Sequence, residues 1–123
     1  MTSSRKDVNV FLSCLKQFIS GPEFNRNENF FFIAKKENKD TLLELNYDID
    51  DIIAELLSLD IKNYSETLID DRDTNPPLLF VFGKTISNKE IYIKIKLREN
   101  ATPKIIVCVS FHKSLHTMSY PYR

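Results

Sequence analysis

Four residues of alternating position carry the most chemistry in this chain of 123 residues. In the stretch Ile91–Arg98, Tyr92, Lys94, Lys96 and Arg98 fall on one face of an extended strand, while Ile91, Ile93, Ile95 and Leu97 fall on the other. The apolar set reads as core; the polar set reads as a solvent-facing stripe of three cations and a phenol. A second run, Lys104–His112, alternates too. It places Ile106, Cys108, Ser110 and His112 on one face and Ile105, Val107, Val109 and Phe111 on the other. If residues Glu99–Pro103 close a hairpin, Tyr92 lies opposite Ser110 or His112. Gly83 lies across from Tyr92 if Ser87-Asn88 is a two-residue turn, and its lack of a side chain leaves room for a ligand above the sheet.

An imidazole, a phenol and cations on one face suit RNA cleavage without a metal. A base removes the proton of a ribose 2′-hydroxyl, which attacks the adjacent phosphate. Cations stabilise the charge on the phosphorane, and an acid protonates the departing 5′-oxygen. Histidine titrates near neutral pH and can act as base or acid; lysine and arginine hold phosphate; tyrosine orients, donates or stacks on a base. The expected catalytic set is Tyr92, His112 and Lys94. Lys84, Lys96, Arg98, Ser110, Tyr64 and Tyr120 are expected to hold RNA. The competing reading is structural: lysines on an exposed strand discourage edge aggregation, and a lone histidine is often a plain surface residue.

Other constellations are weaker. Cys108, His112 and His116 recur every four residues, which suits zinc on a helix but not in a strand. Asp70, Asp71 and Asp73 resemble a magnesium cluster, yet such acidic loops are more often solvated. No glycine-rich phosphate loop, serine-centred elbow or CxxC pair occurs. No cofactor is expected.

The elements that must position this face follow from periodicity. Val8, Phe11, Leu15, Phe18 and Ile19 mark an amphipathic helix from about Lys6 to Ser20, ended by Gly21-Pro22. Phe30-Phe31-Phe32-Ile33 suits a short buried strand. Asn38 or Asp40 can cap a helix carrying Leu42, Leu43 and Leu45; Asp48 and Asp51 form a capping box before Ile52, Ile53, Leu56 and Leu57. Residues 60–77 read as irregular, and strands follow over Leu78–Ile86, Glu90–Arg98 and Lys104–His112. The expected class is therefore α+β, with N-terminal helices packed on a small antiparallel sheet in a single domain spanning 1–123.

The formal net charge of zero conceals a segregation. Residues 1–77 hold nine Lys/Arg against fifteen Asp/Glu, and residues 78–123 hold eight against two. Such asymmetry suits a polyanion on the basic half; alternatively, the two halves attract each other within the fold. No apolar run approaches the roughly 20 residues of a membrane span. The partly apolar N-terminus lacks a signal peptide's pattern. A cytoplasmic location is expected, with Cys14 and Cys108 as buried thiols rather than a disulfide.

From about Asp40 to His112 the chain resembles the MqsR family of toxins from type II toxin–antitoxin systems. The resemblance is carried by Leu42-Leu43-Glu44-Leu45-Asn46, Asp50-Asp51-Ile52-Ile53, Leu59 through Tyr64, Asp71-Arg72-Asp73, Val81-Phe82-Gly83-Lys84, Ile91-Tyr92-Ile93-Lys94 and Val109-Ser110-Phe111-His112. The closing Tyr120-Pro121-Tyr122 is similar to the end of one subgroup. The resemblance implies a RelE-like fold and a metal-independent, mRNA-cleaving endoribonuclease silenced by a cognate antitoxin, with RNA and the ribosome as further partners. It also implies active-site roles for a tyrosine and a basic residue at the positions of Tyr92 and His112. The best-known members carry lysine where His112 stands, and Tyr-Lys-Ser-Met where this chain has Asn63-Tyr64-Ser65-Glu66. The alternative function is a non-catalytic binding module, an immunity or regulatory protein whose basic sheet face binds an acidic partner or RNA.

Overall fold

A computed structural model describes residues 1–123. Helix α1 spans Arg5–Ser20, where Ser4 accepts a hydrogen bond from the Asp7 amide (3.0 Å) and Val8, Leu12, Leu15 and Ile19 form the buried stripe. A single helical turn, α2 (Arg26–Asn29), leads into strand β1 (Phe30–Phe32). Helices α3 (Lys36–Leu45) and α4 (Ile49–Leu57) follow, then a 3₁₀ turn at Ile61–Asn63 and strands β2 (Tyr64–Ile69), β3 (Leu78–Ile86), β4 (Lys89–Arg98) and β5 (Ile105–Lys113). The Asp48/Asp51 capping box is present, with Asp48 Oδ1 3.0 Å from the Asp51 amide and Asp51 Oδ2 2.9 Å from the Asp48 amide. No helix is long and apolar enough to cross a membrane.

The architecture is α+β, but the sheet is mixed and has five strands in the order β1-β5-β4-β3-β2. Strands β2 to β5 are antiparallel; β1 runs parallel to β5, so the expectation of a purely antiparallel sheet is corrected. The region 60–77 is not irregular throughout, because the 3₁₀ turn and β2 run from Ile61 to Ile69 within it. Only Phe30 of the aromatic run is buried; Phe31, alternating to the other side, is 49% exposed. Ser87 and Asn88 have φ of 50° and 64°, the left-handed pair that a tight β3–β4 hairpin requires. One core joins α1, α4 and the inner sheet face: Val8, Leu15, Ile52 and Leu56 meet Phe82, Ile91, Ile93, Ile95 and Phe111. Cys108 belongs to this core, whereas Cys14 is half-buried; both are free thiols.

Two stretches of strand backbone find partners outside the antiparallel ladder, as unpaired strand backbone invites unwanted pairing. At the β2 edge, Met1 exchanges backbone hydrogen bonds with Thr67 (2.9 and 2.8 Å). At the β5 edge, β1 covers Ile106–Cys108 and side chains of α3 take over beyond it. Asn38 is fully buried and does not cap α3, whose N-cap is Lys35; this corrects the capping expectation. Its amide nitrogen donates to the carbonyls of Ile33 (2.8 Å) and Val109 (3.0 Å), and its oxygen accepts from the Phe111 amide (2.9 Å). Thr41 Oγ1 then accepts from the Lys113 amide at 3.2 Å.

Candidate active site

Two bulges decide which side chains reach the outer face of the sheet. In β4–β5 the register steps from Lys94↔Ser110 to Ile95↔Cys108, leaving Val109 unpaired. Cys108 and Phe111 thus both point into the core, while Ser110 and His112 turn outward. The strict alternation read from the sequence put Cys108 with Ser110 and His112; the extra residue breaks that period. In β2–β3 the register steps from Tyr64↔Phe82 to Glu66↔Val81, so Tyr64 faces the core and Glu66 faces outward.

The result is a row of Glu66, Val81, Lys94 and Ser110 across four strands, beside a second row of Gly83, Tyr92 and His112. The Tyr92 and His112 rings stack, with centroids 5.4 Å apart and planes 18° from parallel. His112 Nδ1 lies 2.9 Å from the Lys113 carbonyl oxygen. A carbonyl only accepts, so Nδ1 carries the hydrogen and Nε2 of the neutral ring keeps its lone pair. Burial pushes the Tyr92 phenol up, and the Glu66 carboxylate adds to the shift; the hydroxyl keeps its proton at neutral pH.

Lys94 joins none of the chain's ion pairs. Burial first, then the charges of Lys35 and Arg72, push its ammonium down, against the opposing pull of Asp70 and Glu66. Lys35 Nζ donates to Ser110 Oγ at 2.9 Å, which places a second cation at the row's end. No spacing in the sequence signals Lys35. Parallel pairing of β1 with β5 is what carries the following residues to Ser110.

Several expected RNA-holding residues do not form such a surface. Lys96 is 2% exposed, paired with Asp70 (2.7 Å) and donating to the carbonyls of Asp73 (2.9 Å) and Pro76 (2.8 Å). Arg98 pairs with Asp73. Lys84 faces the helices, bound to Glu55 (2.5 Å) and Ser58. Tyr64 is buried, sharing a hydrogen bond with Thr67 Oγ1 (2.7 Å) and accepting from the Ser3 amide (2.8 Å). Ser110 is 1% exposed. Tyr120 donates to Glu90 (2.7 Å) with the Arg123 guanidinium 3.9 Å over its ring. Nor is the space at Gly83 open: a Cβ there would overlap the Tyr120 hydroxyl and lie 2.8 Å from the Met118 sulfur.

Of the eight cations in residues 78–123, Lys84, Lys89, Lys96, Arg98 and Lys113 pair with carboxylates of the acidic half, namely Glu44, Glu55, Asp70 and Asp73. The charge segregation is therefore largely consumed inside the fold. Asp70 and Asp73 serve the Lys96 and Arg98 pairs, and Cys108 lies on the opposite sheet face from His112.

The Lys96 arrangement has a measurable consequence. Removing one partner of a buried pair leaves the other uncompensated, so Lys96→Ala is expected to lower the unfolding free energy by about 3 kcal/mol at pH 7. Lys96 holds the Asp70 carboxyl below its ordinary range, opposed by desolvation. That contribution is present above the unfolded carboxyl value of roughly 4 and disappears as pH falls through the lower folded value. Denaturant titrations at pH 7 and pH 3 should therefore show a smaller wild-type–variant gap at pH 3; an equal gap contradicts the assignment.

No family model, curated protein or solved structure matches the chain.

Proposed function

We propose that this chain is a metal-independent endoribonuclease of the mRNA-interferase kind, with a RelE-like fold, acting as the toxin of a cytoplasmic toxin–antitoxin pair. RNA is its substrate, free or on the ribosome, and a cognate antitoxin neutralises it. The observation that carries the reading is the stacked Tyr92–His112 pair, with a free Nε2, beside the unpaired Lys94 and with Lys35 at the end of the Lys94 row.

His112 Nε2 takes the proton of a ribose 2′-hydroxyl, and the 2′-oxygen attacks phosphorus. The Tyr92 hydroxyl donates to a phosphoryl oxygen, and the charges of Lys94 and Lys35 oppose the negative charge that develops there. The bond from phosphorus to the 5′-oxygen breaks with its electron pair on oxygen. Lys94, a readier proton donor than an ordinary lysine because its ammonium is pushed down, protonates that oxygen. The products are a 2′,3′-cyclic phosphate and a 5′-hydroxyl.

The internal ion pairing weighs against the other reading, a binding module with a basic sheet face, because few cations of that half stay unpaired. Incubating the purified protein with RNA in EDTA tests the proposal. Cleavage by the wild type that is lost in His112→Ala supports it; no cleavage, or equal cleavage by both, refutes it.

A further inference from the structure

The outer edge of β1 is open. The strand has a single neighbour, β5, and the Ile33 amide donates to the Cys108 carbonyl at 3.1 Å. Backbone polar groups of successive strand residues turn to opposite sides. Those of Phe31 and Ile33 therefore face β5, while the Phe32 N–H and the carbonyls of Phe30 and Phe32 point away from the sheet. Natural edge strands carry a charge, a proline or a bulge against chance pairing. The run Phe30–Ile33 has none of these and is guarded only by its shortness. Apolar surface lies on both of its sides. Phe31 and Ile33 are exposed on the outer face. On the helix side a cavity of about 340 Å³ opens at the same edge, lined by Phe30, Phe32, Ile49, Arg26 and Asn27.

We propose that this edge is an interface for a second copy of the chain, the two β1 strands pairing antiparallel about a two-fold axis at Phe31. A strand added to an open edge takes affinity from main-chain hydrogen bonds and specificity from pockets for alternate side chains. Both requirements are met by β1 itself. In this register each outward Phe32 amide reaches the partner's Phe30 carbonyl. Phe31 meets the partner's Phe31 as a non-hydrogen-bonded pair, the kind in which side chains approach most closely. On the helix side the partner's Phe32 falls beside Phe30, at the mouth of the Phe30–Phe32–Ile49 cavity, and the contact is reciprocal as a two-fold interface demands. Charge favours the same arrangement. Antiparallel pairing sets the start of one strand against the end of the other, so Glu28, which joins no ion pair of the chain, comes to the cationic Lys35–Lys36 end of the second copy. The axis stands perpendicular to the sheet, so the outer faces of both copies lie on one side of a sheet that runs through the dimer.

Sedimentation of the full chain over a concentration series, with hydrogen exchange at the Phe32 amide, tests the interface and needs no RNA. A contact of this size sits at the weak end of specific interfaces, so a dissociation constant on the order of 10 μM is expected. Well above that concentration the mass should be twice the 14.4 kDa of the chain, and exchange at Phe32 should slow as the dimer fills. Phe31→Lys removes the aromatic pair and sets two ammonium groups against each other on the axis, and is expected to weaken the dimer at least about tenfold. Phe31 is half-exposed, so the variant's melting temperature should hold; if the variant unfolds, exchange at Phe32 in the wild type decides. A monomer at every concentration, a dimer that Phe31→Lys leaves intact, or a dimer whose Phe32 amide exchanges as fast as the monomer's overturns the proposal. Neither measurement involves cleavage, so a failed interface leaves the ribonuclease reading standing, and a protein that cuts no RNA leaves the interface standing.

Discussion

Replacing His112 with alanine is expected to slow RNA cleavage by about 10²- to 10⁴-fold, the usual worth of a positioned general base. Stability should hardly move. The ring is partly exposed, and its stacking on Tyr92 contributes on the order of 1 kcal/mol. The separation of these two quantities is the informative result. A residue that merely covers the sheet would lose activity only in proportion to the unfolded population, whereas a base loses it in a fully folded protein. Single-turnover rates and a denaturant titration on the same preparation measure both. A rate within a few-fold of wild type would remove His112 from the chemistry.

The largest effect on stability is expected at Asn38. Alanine there leaves the buried Phe111 amide and the partly buried Ile33 and Val109 carbonyls without their partner. Each unsatisfied buried group costs about 1–3 kcal/mol, so Asn38→Ala should lose about 3–5 kcal/mol, part of it recovered if water enters. The effect should also reach the site, because Asn38 holds the two residues that flank Ser110. Hydrogen exchange at the Phe111 amide, fully protected in the wild type by this account, should become fast in the variant. A loss below about 1 kcal/mol would mean that the β5 bulge stands without its staple.

Much of the scaffold was legible because it is written in local chemistry. The α1 stripe, the Asp48–Asp51 box, the Ser87-Asn88 turn and the ends of β3 and β4 each depend on neighbours in sequence. The pairing of Tyr92 with His112 was within reach because the Glu99–Pro103 connection and strand alternation fix it to a residue or two. The remainder depends on bulges and distant partners, which leave no periodic trace. Strand β2 was hidden because the extra Ser65 breaks alternation between Tyr64 and Glu66. The outward cations of β4 looked equivalent, yet Lys96 is buried against Asp70 and Lys94 is not ion-paired; only the path of the 70–77 loop distinguishes them. Lys35, the N-cap of α3 just beyond β1, and Glu66 of β2 flank the site from opposite sides of the sheet. A helix-capping role was a reasonable expectation for Asn38, and only tertiary pairing shows it as a staple.

Attack by a ribose 2′-hydroxyl on the outer face of the sheet leaves its signature in the chemistry of the cut ends. Purified protein should cleave a defined RNA in the presence of EDTA and leave only 2′,3′-cyclic phosphate and 5′-hydroxyl termini, with no cut where the preceding ribose is 2′-deoxy. Termini carrying a 5′-phosphate and a 3′-hydroxyl, or undiminished cutting after a 2′-deoxy position, would contradict the account.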